Sequence, residues 1–559
     1  MPDSTPSIQL DHFYAYDEIK AFARILTGAY PDLCRLSSIG KSREGREIFL
    51  LTLTDFTTGE AEDRPAYVAY GGIHAHEPAS AHGPFYTALK LLENHQAGGI
   101  LERIVFYLIP RLCPDASEFC IETSTRVRSR TDFNDRTPNT IYPEDLNGDG
   151  LILNIRQAHP DGDLVADPAD SRLLIQRRAD SPGPYYRVLP EGLVHDWDGS
   201  DRVLMGGLHA FYPQKPERMG GRYFDWNRNW SYNWRTEAEQ QGSGDFPFSE
   251  PEMRHFARFL HSHTKIFGLL GYHCGHASII RPPASGVIDD LDLADDQVME
   301  ELANKGEAYL DVPRLVLFDP SSGDQRYKGK GGHSLDFGYH HLGIFGFEIE
   351  LGTIMNAAGL KTEDFLEWTG EEDADRWMRR LMTWWDERGR KDTLFEPWRS
   401  FDHPQLGAVD LGGFHWTVLD NPLVSVLAPT LDGAYRFTVE HARRHPHTVI
   451  EDISVLRFDT RTYRIRMRIA NRGQWPTHVT SKGKTLKRMK TVKTGFRPAT
   501  GVKLLSNAGH MDLGHLPGVV GSRVVEWFVL VDEEYEGRVL GELAVSGGTG
   551  GDIRCTVKN

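Results

Sequence analysis

The chain has 559 residues, 40% of them hydrophobic, with 12 Trp, 20 Tyr and 27 Phe, which is enough apolar material for more than one packed core and excludes a disordered chain. Its 63 basic residues face 79 acidic ones for a net charge of -16, which argues against nucleic-acid binding by bulk electrostatics. No segment approaches the ~20 apolar residues of a membrane span, and five scattered cysteines with no C-x-x-C pair make neither a disulfide framework nor a thiolate zinc site.

The first twenty residues contain acidic side chains and no apolar segment of the kind a secretory leader needs, so the expectation is a soluble cytoplasmic protein with reduced thiols. From about residue 37 to 400, short apolar runs alternate with stretches of helical period, the pattern of an α/β domain. Tyr67–Tyr70, Ile104–Ile109, Ile266–Leu270 and Ile344–Leu351 read as central strands. Phe85, Ala88, Leu89 and Leu92 recur at helical spacing, as do Met253, Phe256, Ala257 and Leu260. Ser249 and Glu252 have the spacing of a capping box for the second of these helices, with Pro251 in its first turn. Trp377, Leu381, Trp384 and Trp385 mark a third helix.

Residues 131–220 are rich in Asp, Pro and Gly and read as a long insertion. Within them, Asp145, Asn147 and Asp149 with Gly150 match the first half of a calcium loop, but Arg156 stands where the bidentate carboxylate belongs, so a turn without metal is preferred over a calcium site. After residue 400 the helical period disappears and the charge changes sign: residues 401–559 hold 21 basic and 16 acidic side chains. Tyr463, Ile465, Met467 and Ile469 alternate with Arg464, Arg466 and Arg468, a half-buried antiparallel strand. Val424–Leu427 and Val524–Val531 read as further strands. The expected organisation is an α/β domain over 1–400 followed by a β-sandwich over 401–559. Lys482, Lys484, Lys487, Arg488, Lys490 and Lys493 suit a lysine-protected edge strand or loop.

The strongest chemical signal follows the Tyr67–Tyr70 run. His74 and Glu77, in Gly71-Gly72-Ile73-His74-Ala75-His76-Glu77, have the H-x-x-E spacing that brings an imidazole and a carboxylate to one cation. His273, closing another apolar run, is the candidate third ligand, because ligands gather at strand ends on one side of an open sheet. Two histidines and a glutamate with one open position describe a catalytic zinc.

These residues, with Cys113-Pro114-Asp115, Asp225-Trp226-Asn227-Arg228-Asn229-Trp230, Pro247-Phe248-Ser249-Glu250-Pro251-Glu252, Tyr327 through Gly332, and Glu348-Ile349-Glu350-Leu351, resemble in order the motifs of the carboxypeptidase A type of zinc metallocarboxypeptidase. The resemblance implies a mixed central sheet flanked by helices, one catalytic Zn²⁺ on His74, Glu77 and His273, and Glu350 as the proton acceptor. It implies that Asn227 and Arg228 grip a terminal carboxylate, that Tyr327 closes over it, and that Arg128, 13 residues after Asp115, stabilises the oxyanion. Arg126 and Arg130 are alternatives to Arg128, and Glu348, which shares a strand face with Glu350, is the alternative base.

There are departures from the family pattern. His76 stands where relatives carry a substrate-contacting arginine, and Cys274-Gly275-His276 follows the third ligand; Cys274 and His276 either line the pocket or serve packing. Ser334 and Asp336 are candidates for the pocket floor, where an acidic residue would favour a basic terminal side chain. The activity implied is removal of a C-terminal residue from a peptide or amide with a free carboxylate, without nucleic-acid or membrane partners. The competing readings are an amidohydrolase acting on a γ-glutamyl, cell-wall-derived or acylated amino acid, and a non-catalytic binding protein.

Overall fold

The four apolar runs of the first 400 residues become neighbours in one eight-stranded sheet. The computed structural model describes residues 6–130, 137–201, 203–205, 224–286, 291–318, 329–362, 364, 371–390, 393–506, 509–533 and 537–559. Across the sheet the strands run Cys34–Lys41, Glu47–Leu53, Val105–Ile109, Ala66–Tyr70, Ile266–His273, Phe345–Glu350, Ser278–Arg281 and Arg314–Val316. The central four are mutually parallel. Every residue of Ala66–Tyr70, Val105–Ile109 and Ile266–His273 is buried, as parallel strands covered on both faces require. Because these strands share a direction, their carboxyl ends open on one edge of the sheet, where α/β folds collect ligands.

Helix Pro251–Ser262 places Met253, Phe256, Ala257 and Leu260 in the core, as their spacing predicts. Its start differs from the expected capping box. Glu250 is the N-cap residue, the Ser249 hydroxyl donates to Glu250 Oε1, and Glu252 accepts from the distant backbone N–H of Arg43. Helix Glu371–Glu387 holds Trp377, Leu381 and Trp385 in a second core with Phe395 and Trp416.

The charge step near residue 400 does not coincide with a structural break. Strand Phe395–His403 runs through it, pairs with Gly407–Phe414, and that hairpin continues into Asn154–Ala158, Tyr185–Pro190, Leu164–Ala166 and Leu174–Gln176 of the 131–220 region as one six-stranded sheet. Helical period returns at Ala428–Ala442, and Val424–Val426 is a 3₁₀ turn leading to it rather than a strand. That helix packs on His82–Glu93 and Leu293–Leu310, burying Leu431, Ala434 and Phe437 in the main core. Its His441 Nδ1 lies 2.9 Å from the Tyr67 hydroxyl. Charge reports on the surface, whereas the boundary is set by buried contacts.

The two four-stranded antiparallel sheets begin later. Thr448–Arg457, Thr462–Asn471, Ser522–Val531 and Val502–Leu504 form one; His510–Gly514, Val492–Pro498, Val539–Ser546 and Asp552–Lys558 form the other. Tyr463, Ile465, Met467 and Ile469 share a core of their own with Trp527 of the same sheet and with Phe496 and Leu543 of the other. The basic stretch includes the short helix Ser481–Thr485, and its Arg488 is an anchor: the guanidinium donates to the carbonyls of Leu260, His263 and Leu342. In the 145–150 loop, the Asp145 carboxylate accepts from the N–H groups of Gly148 and Gly150. Among the described residues, no helix is long and apolar enough to cross a membrane.

Candidate active site

Strand Ala66–Tyr70 ends in two glycines whose places admit no side chain. A Cβ on Gly71 would lie 2.5 Å from the Ser80 carbonyl oxygen, and Gly72 has a φ of +62° against Arg111. The chain therefore turns sharply and carries His74 and Glu77 over the carboxyl edge of the sheet. His273 ends the adjacent parallel strand and Glu350 ends the next, directly across from it in the register. Three neighbouring strands thus deliver four side chains to one point.

His74 Nδ1 lies 2.9 Å from Glu77 Oε1 and 3.2 Å from His273 Nδ1, while His273 Nδ1 lies 3.3 Å from Glu77 Oε2. All three residues are buried, and their ligand atoms lie within 4.8 Å of one another. Two imidazole nitrogens and a carboxylate at such spacings form the donor set of a catalytic zinc site. Among the described residues this is the one group of three such side chains that could hold a metal.

The far nitrogen of each ring faces a carboxylate. His74 Nε2 is 3.0 Å from Asp225 Oδ1, and His273 Nε2 is 3.4 Å from Glu348 Oε1. Such outer carboxylates set ring orientation and raise ligand basicity. Burial alone would depress the pKa of His273, but Glu348 and Glu77 reverse this and hold it well above the usual imidazole value. Burial opposes ionisation of Glu77, yet His74, His273 and Arg128 keep it well below the carboxylate range. The same contest at Asp225 is won by Arg128, Arg228 and His74. The Cys274 backbone N–H donates to Glu77 Oε2; its side chain is buried, and burial raises the thiol pKa well above its usual value. His276 is half-buried.

Arg128 joins the same group. Its Nη1 donates to Glu77 Oε1 at 3.0 Å and its Nε to Asp225 Oδ2 at 3.1 Å. Arg126 turns away to Asp420, at 2.6 Å, and Arg130 lies 4.3 Å from the Phe224 ring centroid. His76, buried, has Nε2 3.3 Å from Arg128 Nη1; burial and the guanidiniums of Arg126 and Arg128 push its pKa well down.

Glu350 Oε2 is shielded from solvent and has no hydrogen-bond partner among the described residues. Burial, together with the negative charges of Glu77 and Glu348, raises its pKa to about 8. Glu348, on the same strand face, is committed elsewhere: Asn227 Nδ2 and the Ser334 hydroxyl both donate to its Oε1. Burial opposes its ionisation, but His333 and His273 hold its pKa far below the usual range.

Asn227 is 2% exposed, and its Oδ1 accepts from the Ser334 backbone N–H. Arg228 stays half-buried, its Nη2 3.8 Å from Asp225 Oδ2. Tyr327 lies outside the described residues. Asp336 is spent on structure, accepting from the N–H groups of Ala284 and Ser285 and from the Ser285 hydroxyl. Asp225 opens the Asp225–Trp230 motif, and its acidic side chain was the available signal for its part in the site. Asn421 carried none: it lies far along the chain, yet its side chain bonds the His76 and Ala79 backbone.

A sequence profile described as zinc carboxypeptidase matches residues 19–150 and 213–376, just over half of the chain. The chain belongs to the zinc carboxypeptidase family. Its mixed sheet with flanking helices is the fold of that family, and a second profile, described as a domain of unknown function, matches residues 447–558. A metallocarboxypeptidase A-like protein of Trichophyton verrucosum is 28% identical over 136 residues, 24% of this chain and 31% of that protein. Carboxypeptidase B of Astacus astacus is 35% identical over 104 residues, 18% of this chain and 33% of that one. The chain therefore spans about a third of the length of these curated relatives. A protein of Paracoccidioides brasiliensis named an inactive metallocarboxypeptidase is 27% identical over 113 residues, 20% of this chain and 19% of that protein. The solved carboxypeptidase A of Helicoverpa armigera aligns at 15% identity with a TM-score of 0.39, covering 63% of this chain and 68% of that one.

Proposed function

We propose that this chain is a zinc-dependent hydrolase that removes the C-terminal residue of a peptide. The observation that carries the reading is the unpartnered, solvent-shielded Oε2 of Glu350 in direct register with His273 of the metal-binding triad. A zinc ion on His74, Glu77 and His273 supplies Lewis-acid polarisation of a carbonyl and of water when bound. The residues of the chain do the rest. With the cation's charge beside it favouring the ionised form, the Glu350 carboxylate would accept the proton of the attacking water and hand it to the departing amine. Arg128, its guanidinium already at the triad, holds the negative charge that develops on the carbonyl oxygen. Arg228, half-buried and only loosely paired with Asp225, binds the terminal carboxylate, and Asn227, locked between Glu348 and Ser334, shapes the wall beside it. Tyr327 closing over the carboxylate is part of the same proposal and follows from the sequence motif.

Digesting a peptide library with zinc-loaded protein, with and without a chelator, tests this reading. Stepwise loss of terminal residues that stops with chelator is the expected result, and cleavage only at internal bonds would overturn it. One observation favours the amidohydrolase reading: buried His76 replaces an arginine that would reach beyond the terminal residue. Equal hydrolysis of free-acid and amidated substrates would exclude a carboxylate clamp in either version.

A further inference from the structure

Beside Arg228 the structure gathers two more cations. The segment Lys330–Gly332 is laced to the loop that follows Trp230: Gly331 N–H donates to Gln240 Oε1, Gln240 Nε2 donates back to the Gly331 carbonyl, and Gly332 exchanges backbone bonds with Tyr232 and Trp230. These contacts are close enough to need glycine. A Cβ on Gly331 would lie 3.0 Å from Arg235 Cγ and 3.1 Å from its Nε, and one on Gly332, whose φ is +63°, would lie 2.1 Å from the Arg228 carbonyl oxygen. The Arg235 side chain therefore lies along Gly331, the chain neighbour of Lys330, and the backbone of Arg228 packs on Gly332. All three cations are half-buried.

Their charge is only partly compensated, the exposed Glu239 lying near enough to feel the charge of Arg235. Among the described residues no carboxylate lies within ion-pair distance of Lys330 or Arg235, and Arg228 reaches only Asp225, at 3.8 Å. Asp225 is shared with Arg128 and His74. Burial and the neighbouring guanidiniums of Arg228 and Arg235 lower the pKa of the Lys330 ammonium, and Asp225 offsets only part of this. Like charges held together in a partly desolvated wall are costly until an anion arrives to pair with them. The acids that would attract a basic side chain are turned to other uses: Asp336 holds Ala284 and Ser285, and Glu348 holds Asn227 and Ser334.

We infer that Lys330 and Arg235 form a second anion subsite beside Arg228, selecting peptides whose terminal residue has a carboxylate side chain. Arg228 takes the main-chain carboxylate and the Lys330–Arg235 pair takes the side-chain one. This deepens the carboxypeptidase reading and rests on it. It replaces the preference for a basic terminal residue that an acidic pocket floor would give.

The test uses the full zinc-loaded chain and three peptides identical except for a terminal Glu, Gln or Lys. The expected kcat/KM for the Glu peptide exceeds that for Gln at least 10-fold and that for Lys by more, and the Glu-to-Gln ratio falls toward one in Lys330→Gln and in Arg235→Gln. A second arm, independent of turnover, titrates the same protein with L-glutamate and L-glutamine by calorimetry; glutamate should bind at least 10-fold more tightly. Equal or faster loss of Gln or Lys, or a ratio unmoved in both variants, overturns the subsite. If no peptide is shortened, the hydrolase reading fails, and the titration alone decides the subsite: equal binding of the two amino acids overturns it.

Discussion

The side-chain amide of Asn421 donates to the backbone carbonyl of His76 at 2.7 Å. The same side chain accepts from the Ala79 N–H at 3.1 Å and donates to the Thr417 carbonyl at 2.8 Å. A buried residue contributed from beyond position 400 thus clamps the turn that carries His74 and Glu77. Asn421→Ala removes the clamp and leaves buried backbone groups unpaired, at a cost of about 1–3 kcal/mol in stability. Zinc affinity should fall about 10–100-fold, the range for groups that support metal ligands indirectly. Competition against a chromogenic chelator reads this without any activity assay, and unchanged affinity would show that the turn holds itself.

On the proposed reading Glu350 moves a proton, while His74, Glu77 and His273 hold the metal. Glu350→Gln should lower turnover by about 10²–10⁴-fold, the worth of a positioned general base. Zinc content, measured by mass spectrometry on the intact protein, should stay at one ion per chain. Survival of full activity would transfer the role to another group.

Glu252 links stability to pH. It is buried, its Oε1 accepts from the Arg43 N–H, and its Oε2 has no hydrogen-bond partner among the described residues. Burial, with Asp115 and Glu250 nearby, raises its pKa from 4.5 to about 7. Between those values the folded chain binds a proton that the unfolded chain has released, so this contribution is full below pH 4.5 and is lost as pH rises through 7. Glu252→Gln, neutral and of the same shape, should therefore be closer to wild type at pH 5 and gain up to about 3 kcal/mol relative to it at pH 8. Denaturant melts at the two pH values check this, and the same difference at both would exclude Glu252 as the source.

Arg488 joins the β-sandwich to the α/β body through three backbone carbonyls. Burial lowers its pKa to about 10, so the guanidinium remains charged at neutral pH. Arg488→Ala strands those carbonyls and should destabilise the protein by about 2–4 kcal/mol. In calorimetry the single melt should split, with the β-sandwich unfolding apart from the rest. A single unshifted transition would mean that apolar contacts alone hold the two together.

Much of the central sheet and the candidate site was legible in the residues themselves. The runs at Tyr67–Tyr70 and Ile266–Leu270 became adjacent buried strands because apolar runs of that length must be covered on both faces. The motifs near His74 and Asp225 were legible because a turn or short segment carries its own spacing. The boundary near 400 misled, since surface charge is blind to what Ala428–Ala442 buries. Ser249 and Glu252 matched a local pattern, but Arg43 competed successfully for the carboxylate.

What the sequence by itself determined is the chemistry available: two imidazoles, a carboxylate and a free base at the ends of strands, because ligand type and strand period are local properties. Only the tertiary structure decided how those groups are used. It gave Glu348 to His273 and Asn227, Asp225 to His74 and Arg128, Asn421 to the metal-binding turn, and left Lys330 and Arg235 without a described carboxylate partner. Such assignments depend on which buried polar groups find one another across hundreds of residues, and no local spacing encodes that.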